Sequence, residues 1–344
     1  MENNGGLNPS RVLAAAACGV IDKIHSSGGD PDSILGQAHI QTRDLDAPHN
    51  ELYLTQYCHL FEEAAKQTGN DNFGLQFGDA FKPKQLGALG YAATSSPTLS
   101  AALRNMETYF PAHQSKTSFG LLQDSDILWL SYRILDQQIE NRRQDAELSI
   151  GVFCNIFRHC LGDDWAPLEI CFEHGVPDHP SEHERRYNAP VRFGRRTNAI
   201  AFRRSDLDAT MPTQDPYLFS VIEPFLKSRC QLIADPVDFA ETVRNQIMLN
   251  LGDVPPTLKE IAKILGLSGQ SFQRRLREHG LTYQDLMKAA RQDLALHYLK
   301  DPDVQLTELA YLLGYSELSA FSRAFRAWAG MSPQRYRRNI ITSS

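Results

Sequence analysis

Four arginines stand where side chains could read a nucleic acid: Arg274 and Arg277, and 49 residues further on Arg323 and Arg326. Gln270 and Gln273 lie beside the first pair, and Leu318, Ser319 and Ser322 beside the second. A guanidinium group makes paired hydrogen bonds to guanine or phosphate, and a side-chain amide does the same to adenine. Side chains three or four residues apart share one face of a helix, the shape that fits a major groove. For any one arginine alone, a solvated face paired with Glu278 or Glu317 is the competing reading.

The elements that must position these groups are written twice. Residues 258–268 and 306–316 agree at six of eleven positions, and Phe272, Arg274 and Arg277 recur one residue out of step as Phe321, Arg323 and Arg326. Each copy predicts a helix-turn-helix. In the first, Leu258, Ile261, Ala262 and Leu265 form the buried stripe of a short helix. Gly266 supplies the turn, where a positive φ is needed, and Ser268 caps the second helix. Phe272 and Leu276 then face inward, with Gly269, Gln270, Gln273, Arg274 and Arg277 outward. In the second copy Gly314 is the turn, Phe321 and Phe325 face inward, and Leu318, Ser319, Ser322, Arg323 and Arg326 face outward. Thr257-x-x-Glu260 predicts a capping box; Gln305 is a poorer cap at the matching place. Residues 283–299, with Leu286, Ala290, Leu294 and Tyr298 on a ridge and Asp301-Pro302 as the stop, predict a linking helix. It is long enough to hold two modules one DNA turn, about 34 Å, apart.

The charge follows the same division. The 344 residues carry 35 Lys and Arg against 41 Asp and Glu, a net of −6. Residues 257–344 hold 13 basic and 8 acidic side chains, a net of +5, which leaves −11 on the remainder. A basic piece on an acidic body implies an anion-binding module joined to something else. No apolar run reaches the ~18 residues of a membrane span, and the chain is expected in the cytoplasm. Its six cysteines, Cys18, Cys58, Cys154, Cys160, Cys171 and Cys230, form no Cys-x-x-Cys and are expected as reduced thiols.

The rest of the chain predicts an α+β domain, a small sheet with packed helices. Helices are expected over 10–25, 51–68, 98–109, 141–161, 217–232 and 235–251, the last stopped by residues 252–256. Strands are expected over 116–123 and 127–135, joined by a turn at 124–126, and over 168–172 and 198–202. The domains are then 1–232, for effector sensing or dimerisation, and 233–344, all-α with two helix-turn-helix modules and a linking helix. Trp129, Tyr132, Arg133 and Phe172, with Phe119, are candidates to line a ligand pocket, Arg133 pairing with a ligand carboxylate; core packing is the competing reading. Residues 173–184 gather His174, His179 and His183 with several carboxylates, a set that could take Zn²⁺. Their Pro and Gly content predicts a surface loop, and no metal is expected there. No Gly-x-Ser-x-Gly or Walker loop occurs, so neither catalysis nor a cofactor is expected.

From Leu309 to Arg337 the run Leu-Ala-x-x-Leu-Gly-Tyr-Ser-Glu-x-Ser-Ala-Phe-Ser-Arg-Ala-Phe-Arg-Ala-Trp-Ala-Gly-x-Ser-Pro-x-x-Tyr-Arg resembles the DNA-binding domain of AraC/XylS transcription regulators. The likeness covers about residues 237–338. Residues 86–103 are similar to the N-terminal sensor domain of the ornithine-utilisation and virulence regulators, over about 15–205. The resemblance implies a sequence-specific regulator of transcription, usually an activator, that binds duplex DNA and meets RNA polymerase. It also implies a homodimer and a small-molecule effector. Its base-reading positions fall on Gly269, Gln270, Gln273 and Arg274, and on Leu318, Ser319, Ser322 and Arg323. Gly269 has no side chain to read with, and Leu318 is suited to a thymine methyl. Arg335, Arg337 and Arg338 are expected on phosphates. Two other readings remain: a regulator without ligand, switched by dimerisation or a protein partner, and an enzyme domain fused to a DNA-binding module.

Overall fold

The structure, a computed structural model, describes residues 9–341 apart from 125, 126, 137, 196, 234–237, 253, 266, 279 and 300–303. The chain divides into two compact units, Met1–Ile233 and Ala234–Ser344. The expected turn residues Ser125, Asp126 and Gly266, and the stop Asp301-Pro302, lie outside the described residues, as do Asp235 and Pro236 at the expected start of a helix.

The N-terminal unit runs β1 (Arg11–Leu13), α1 (Val20–Ser26), α2 (Pro31–Gln37), β2 (Glu51–Tyr53), α3 (Leu54–Thr68), α4 (Phe73–Ala80), α5 (Ala88–Thr94), α6 (Leu99–His113), β3 (Thr117–Asp124) and β4 (Ile127–Ile134). It continues with α7 (Arg143–Leu161), β5 (Glu169–Cys171), α8 (Pro180–Tyr187), β6 (Val191–Arg192), β7 (Asn198–Arg203) and α9 (Pro216–Ile233). A five-stranded sheet has the order β3-β4-β7-β5-β6 and is antiparallel except for β5 against β6. On β4, Leu128, Leu130, Tyr132 and Ile134 are buried, as the two-residue period of a strand requires. Helix α7 covers that face, with Phe153 5.0 Å from Phe119 and 5.5 Å from Tyr132 between ring centres, and Phe157 4.8 Å from Phe202. This is the expected small sheet with packed helices.

Helix α7 also meets α4 at backbone distance. A Cβ on Gly78 would stand 2.3 Å from the Leu148 carbonyl oxygen, one on Gly74 2.1 Å from that of Gln144, and one on Gly151 2.7 Å from the Gly78 carbonyl carbon. Glycine is required at all three places.

Two expectations in this unit are corrected. Residues 10–25 do not form one helix: Arg11–Leu13 pairs antiparallel with Glu51–Tyr53, which also removes the first turn expected of the helix over 51–68. A short 3-10 turn, Ala14–Ala17, follows, and α1 begins only after Gly19 at φ +86. The partner strand lies some 40 residues away, beyond the reach of local periodicity. Residues 173–184, expected as a surface loop, are one only as far as His179. Pro180 opens α8 at its first position, where a missing N–H costs nothing, and His183 and Tyr187 on its inner face are fully buried.

The C-terminal unit is all-α: α10 (Asp238–Asn250), α11 (Leu258–Ile264), α12 (Gly269–Glu278), α13 (Tyr283–Tyr298), α14 (Leu306–Leu312), α15 (Leu318–Ala329) and α16 (Pro333–Ile341). Its core unites Phe272, Leu276, Ala290, Leu294, Leu309, Phe321 and Phe325. Helices α11–α12 and α14–α15 are the two helix-turn-helix modules, and α13 is the helix between them.

Candidate nucleic-acid interface

The first module is built as its residues dictate. Thr257 and Glu260 close the capping box of α11: the Thr257 N–H donates to Glu260 Oε2 at 2.6 Å and the Glu260 N–H to Thr257 Oγ1 at 3.3 Å. Those bonds hold the Glu260 carboxyl below its usual range. Ser268 Oγ accepts from the Ser271 N–H at 3.1 Å and so caps α12. Gln305 makes no side-chain cap on α14. Gly314 turns the second module at φ +71.

With Phe272 and Leu276 inside, α12 exposes Gln270, Gln273, Arg274 and Arg277; Gly269 is half-buried. With Phe321 and Phe325 inside, α15 exposes Ser319, Arg323 and Arg326 and half-exposes Ser322. Leu318 is half-buried against the C-terminal core, so only part of its side chain is left for a thymine methyl. Both leading arginines lean on carboxylates of their own module: Arg274 Nε lies 3.7 Å from Glu278 Oε1, and Arg323 Nη2 3.6 Å from Glu317 Oε1. Ser319 donates to Glu317 as well, and Arg323 Nη1 donates to Ser319 Oγ at 3.4 Å. Exposed pairs of this kind contribute about 0–1 kcal/mol, so a phosphate or base edge can displace them. On α16, Arg335 and Arg338 are exposed, whereas Arg337 is half-buried with Nε and Nη2 shielded from water. Arg337 thus presents less of its guanidinium than its two neighbours do. Arg275, passed over in the sequence, is exposed on α12 with its guanidinium 5.6 Å from the centre of the Phe239 ring.

The four expected ligand residues occupy different surroundings. Tyr132 is buried among Phe110, Phe119 and Phe153; its hydroxyl donates to Asp145 Oδ2 at 2.8 Å and accepts from Gln114 Nε2 at 2.9 Å. Phe172 packs in a second ring cluster with His174, His183, Tyr187 and Phe193. Trp129, half-buried, and Arg133 lie on the β4 face opposite Tyr132. Arg133 is already paired, Nε to Glu173 Oε2 at 3.0 Å, and Arg142 holds the other oxygen of Glu173 at 2.9 Å. Two of the three histidines of 173–184 approach a buried carboxylate, His183 Nε2 at 2.9 Å and His174 Nε2 at 3.5 Å from Glu147 Oε1, while His179 is exposed. Among the described residues no three His, Cys, Asp or Glu side chains are arranged to hold a metal, and all six cysteines are free thiols.

A helix-turn-helix domain model matches residues 261–339. The model of the arabinose-binding N-terminal domain of the AraC transcription regulator matches residues 28–211, more than half of the chain. The chain belongs to the AraC family of transcription regulators. Two relatives of this AraC-family chain match along nearly their whole length. The ornithine utilization regulator of Pseudomonas aeruginosa is 25% identical over 336 residues, 95% of this chain and 96% of its own. The transcriptional regulator VirS of Mycobacterium tuberculosis is 25% identical over 337 residues, with the same coverage. The crystal structure of the regulator CdpR from Pseudomonas aeruginosa aligns with 89% of this chain and 96% of that one, at 20% identity and a TM-score of 0.44. The AraC-family chain is thus a transcription regulator with a DNA-binding helix-turn-helix region and an arabinose-binding-type N-terminal domain. Among the described residues no helix is long and apolar enough to cross a membrane.

Proposed function

We propose that the chain is an effector-responsive activator that reads its operator with α12 and α15. Gln270, Gln273, Arg274 and Arg277 would enter one major groove, and Ser319, Ser322, Arg323 and Arg326 the next, with Leu318 touching a thymine methyl. Arg335, Arg338 and the accessible part of Arg337 would meet phosphates. The observation that carries this reading is the sorting of each helix: two buried aromatic or aliphatic anchors inward, and amide, hydroxyl and guanidinium groups outward, in both modules. Arg274→Ala should weaken binding to DNA selected by the parent chain by about 1–3 kcal/mol, roughly 5- to 150-fold, and relax preference at one position. Gel-shift titration at two salt concentrations checks it. Unchanged affinity at both would show that α12 is not a reader.

The effector is proposed to act in the N-terminal unit of a cytoplasmic protein, with Tyr132 the candidate carried forward from the expected four. Its hydroxyl joins a buried carboxylate whose other oxygen, Asp145 Oδ1, accepts no hydrogen bond from the described residues. Stabilisation of the full chain by one class of metabolite in a thermal-shift screen supports this; a flat screen with DNA binding intact favours a regulator without ligand. We further propose a homodimer. Tyr217, Val221 and Phe225 form an exposed stripe along the outer side of α9, a face suited to a second copy, and a sedimentation mass of one chain would exclude it. Contact with RNA polymerase follows from the activator reading and is tested by in vitro transcription with purified polymerase: no stimulation would exclude it.

A further inference from the structure

The linking helix does more than separate the modules. Arg291, half-buried on α13, sends Nε to the Leu313 carbonyl at 2.9 Å and Nη2 to the Gly314 carbonyl at 3.4 Å. Its guanidinium also lies 4.8 Å from the centre of the Tyr315 ring. These three residues are the end of α14 and the turn into α15. The last carbonyls of a helix have no partner within it and carry its negative pole, so a planar cation with several donors is well matched to them. Tyr315 in turn packs on Phe321, at 5.7 Å between ring centres, and Phe321 anchors α15.

The same turn is also approached by the segment that precedes α11. A Cβ on Gly314 would meet Pro255 Cγ at 2.7 Å and the Gly252 carbonyl oxygen at 3.1 Å. That segment leads into the first module and is itself tied to α13, where the Tyr283 hydroxyl donates to the Pro256 carbonyl at 2.7 Å. One helix therefore grips the entrance of the first module near its start and the turn of the second eight residues later, about 12 Å along its axis.

We propose that Arg291 is a positioning residue that sets the separation of the two reading helices, and with it the spacing of DNA half-sites the chain accepts. This rests on the proposed reading by α12 and α15. The test uses the full chain and duplexes selected by the parent from a random pool, together with the same duplexes carrying one or two added base pairs between half-sites. The parent should lose about tenfold in affinity on insertion. Arg291→Lys keeps the charge but not the planar fork, and should melt near the parent while its insertion penalty falls to about threefold or less. Arg291→Ala should lose the penalty further, with affinity for an isolated first half-site unchanged. A folded Lys variant that keeps the parent's full penalty overturns the inference, and so does a parent indifferent to insertion. A parent that selects no sequence at all sinks the reading on which it rests.

Discussion

Phe321→Ala is expected to destabilise the C-terminal unit by about 3–5 kcal/mol, the usual cost of emptying a buried phenylalanine site. The ring is 1% exposed and contacts Tyr315 and Phe325, each at 5.7 Å between ring centres. Its removal takes away apolar burial and leaves a hole between the turn and the helix that reads DNA. Domains are held by only about 5–15 kcal/mol, so a loss of this size removes a large share of the stability. Denaturant unfolding followed by circular dichroism should show the C-terminal transition moving to lower denaturant. Arg323→Ala, two residues along the same helix and exposed, is the control and should shift stability by about 0.5 kcal/mol or less. Equal behaviour of the two variants would mean that α15 is not anchored through Phe321.

The second large effect concerns acidity. Asp145→Asn should stabilise the N-terminal unit above pH 7 by a few kcal/mol and change little near pH 4. Burial raises the Asp145 carboxyl from an ordinary 3.8 to about 7; the Tyr132 hydroxyl and Arg142 pull it down, while Glu62 and Glu173 push it up. An unfolded aspartic acid ionises near pH 4, so between about pH 4 and pH 7 the unfolded chain releases a proton that the folded chain keeps. Stability of the parent falls as pH rises through that window and levels off above it, at about 1.4 kcal/mol per pH unit. Asparagine does not ionise and can still accept from Tyr132. His113, held neutral by burial and lowered to about 4, acts in the opposite sense, losing stability as pH falls below about 6.5. It is shared by both chains and cancels in their difference. Urea unfolding of parent and variant from pH 4.5 to 8.5 checks this, and two curves running parallel would refute it.

The C-terminal unit was legible because everything that defines it is local. The apolar steps of Leu258 to Leu265, the cap at Ser268 and the inward Phe272 lie within one or two helical turns, and the second copy confirms the register of the first. Its separate resemblance to AraC/XylS regulators named the function that periodicity alone leaves open. The N-terminal unit was legible in outline, since β3, β4 and α7 each have a clean period. What escaped was non-local. The strand Arg11–Leu13 is made by its partner Glu51–Tyr53, and an alanine run reads as helix until that partner is known. His183 reads as a loop residue because Pro180 and Gly175 punctuate the segment, yet Glu147 on α7 sets a buried carboxylate oxygen 2.9 Å from its Nε2. Arg291 was passed over because α13 was read only as a spacer. Its partners, the carbonyls of Leu313 and Gly314, are backbone atoms that no pattern of side chains announces.

The glycine crossing of α4 and α7 has a bearing on how a signal can pass. With Gly74, Gly78 and Gly151 seating backbone on backbone, there is no slack for one rod to roll or slide over the other. A packed contact of this kind is stiff, and the two helices behave as a single beam. Whatever this half of the molecule receives must therefore either tilt that beam whole or be transmitted by the parts around it.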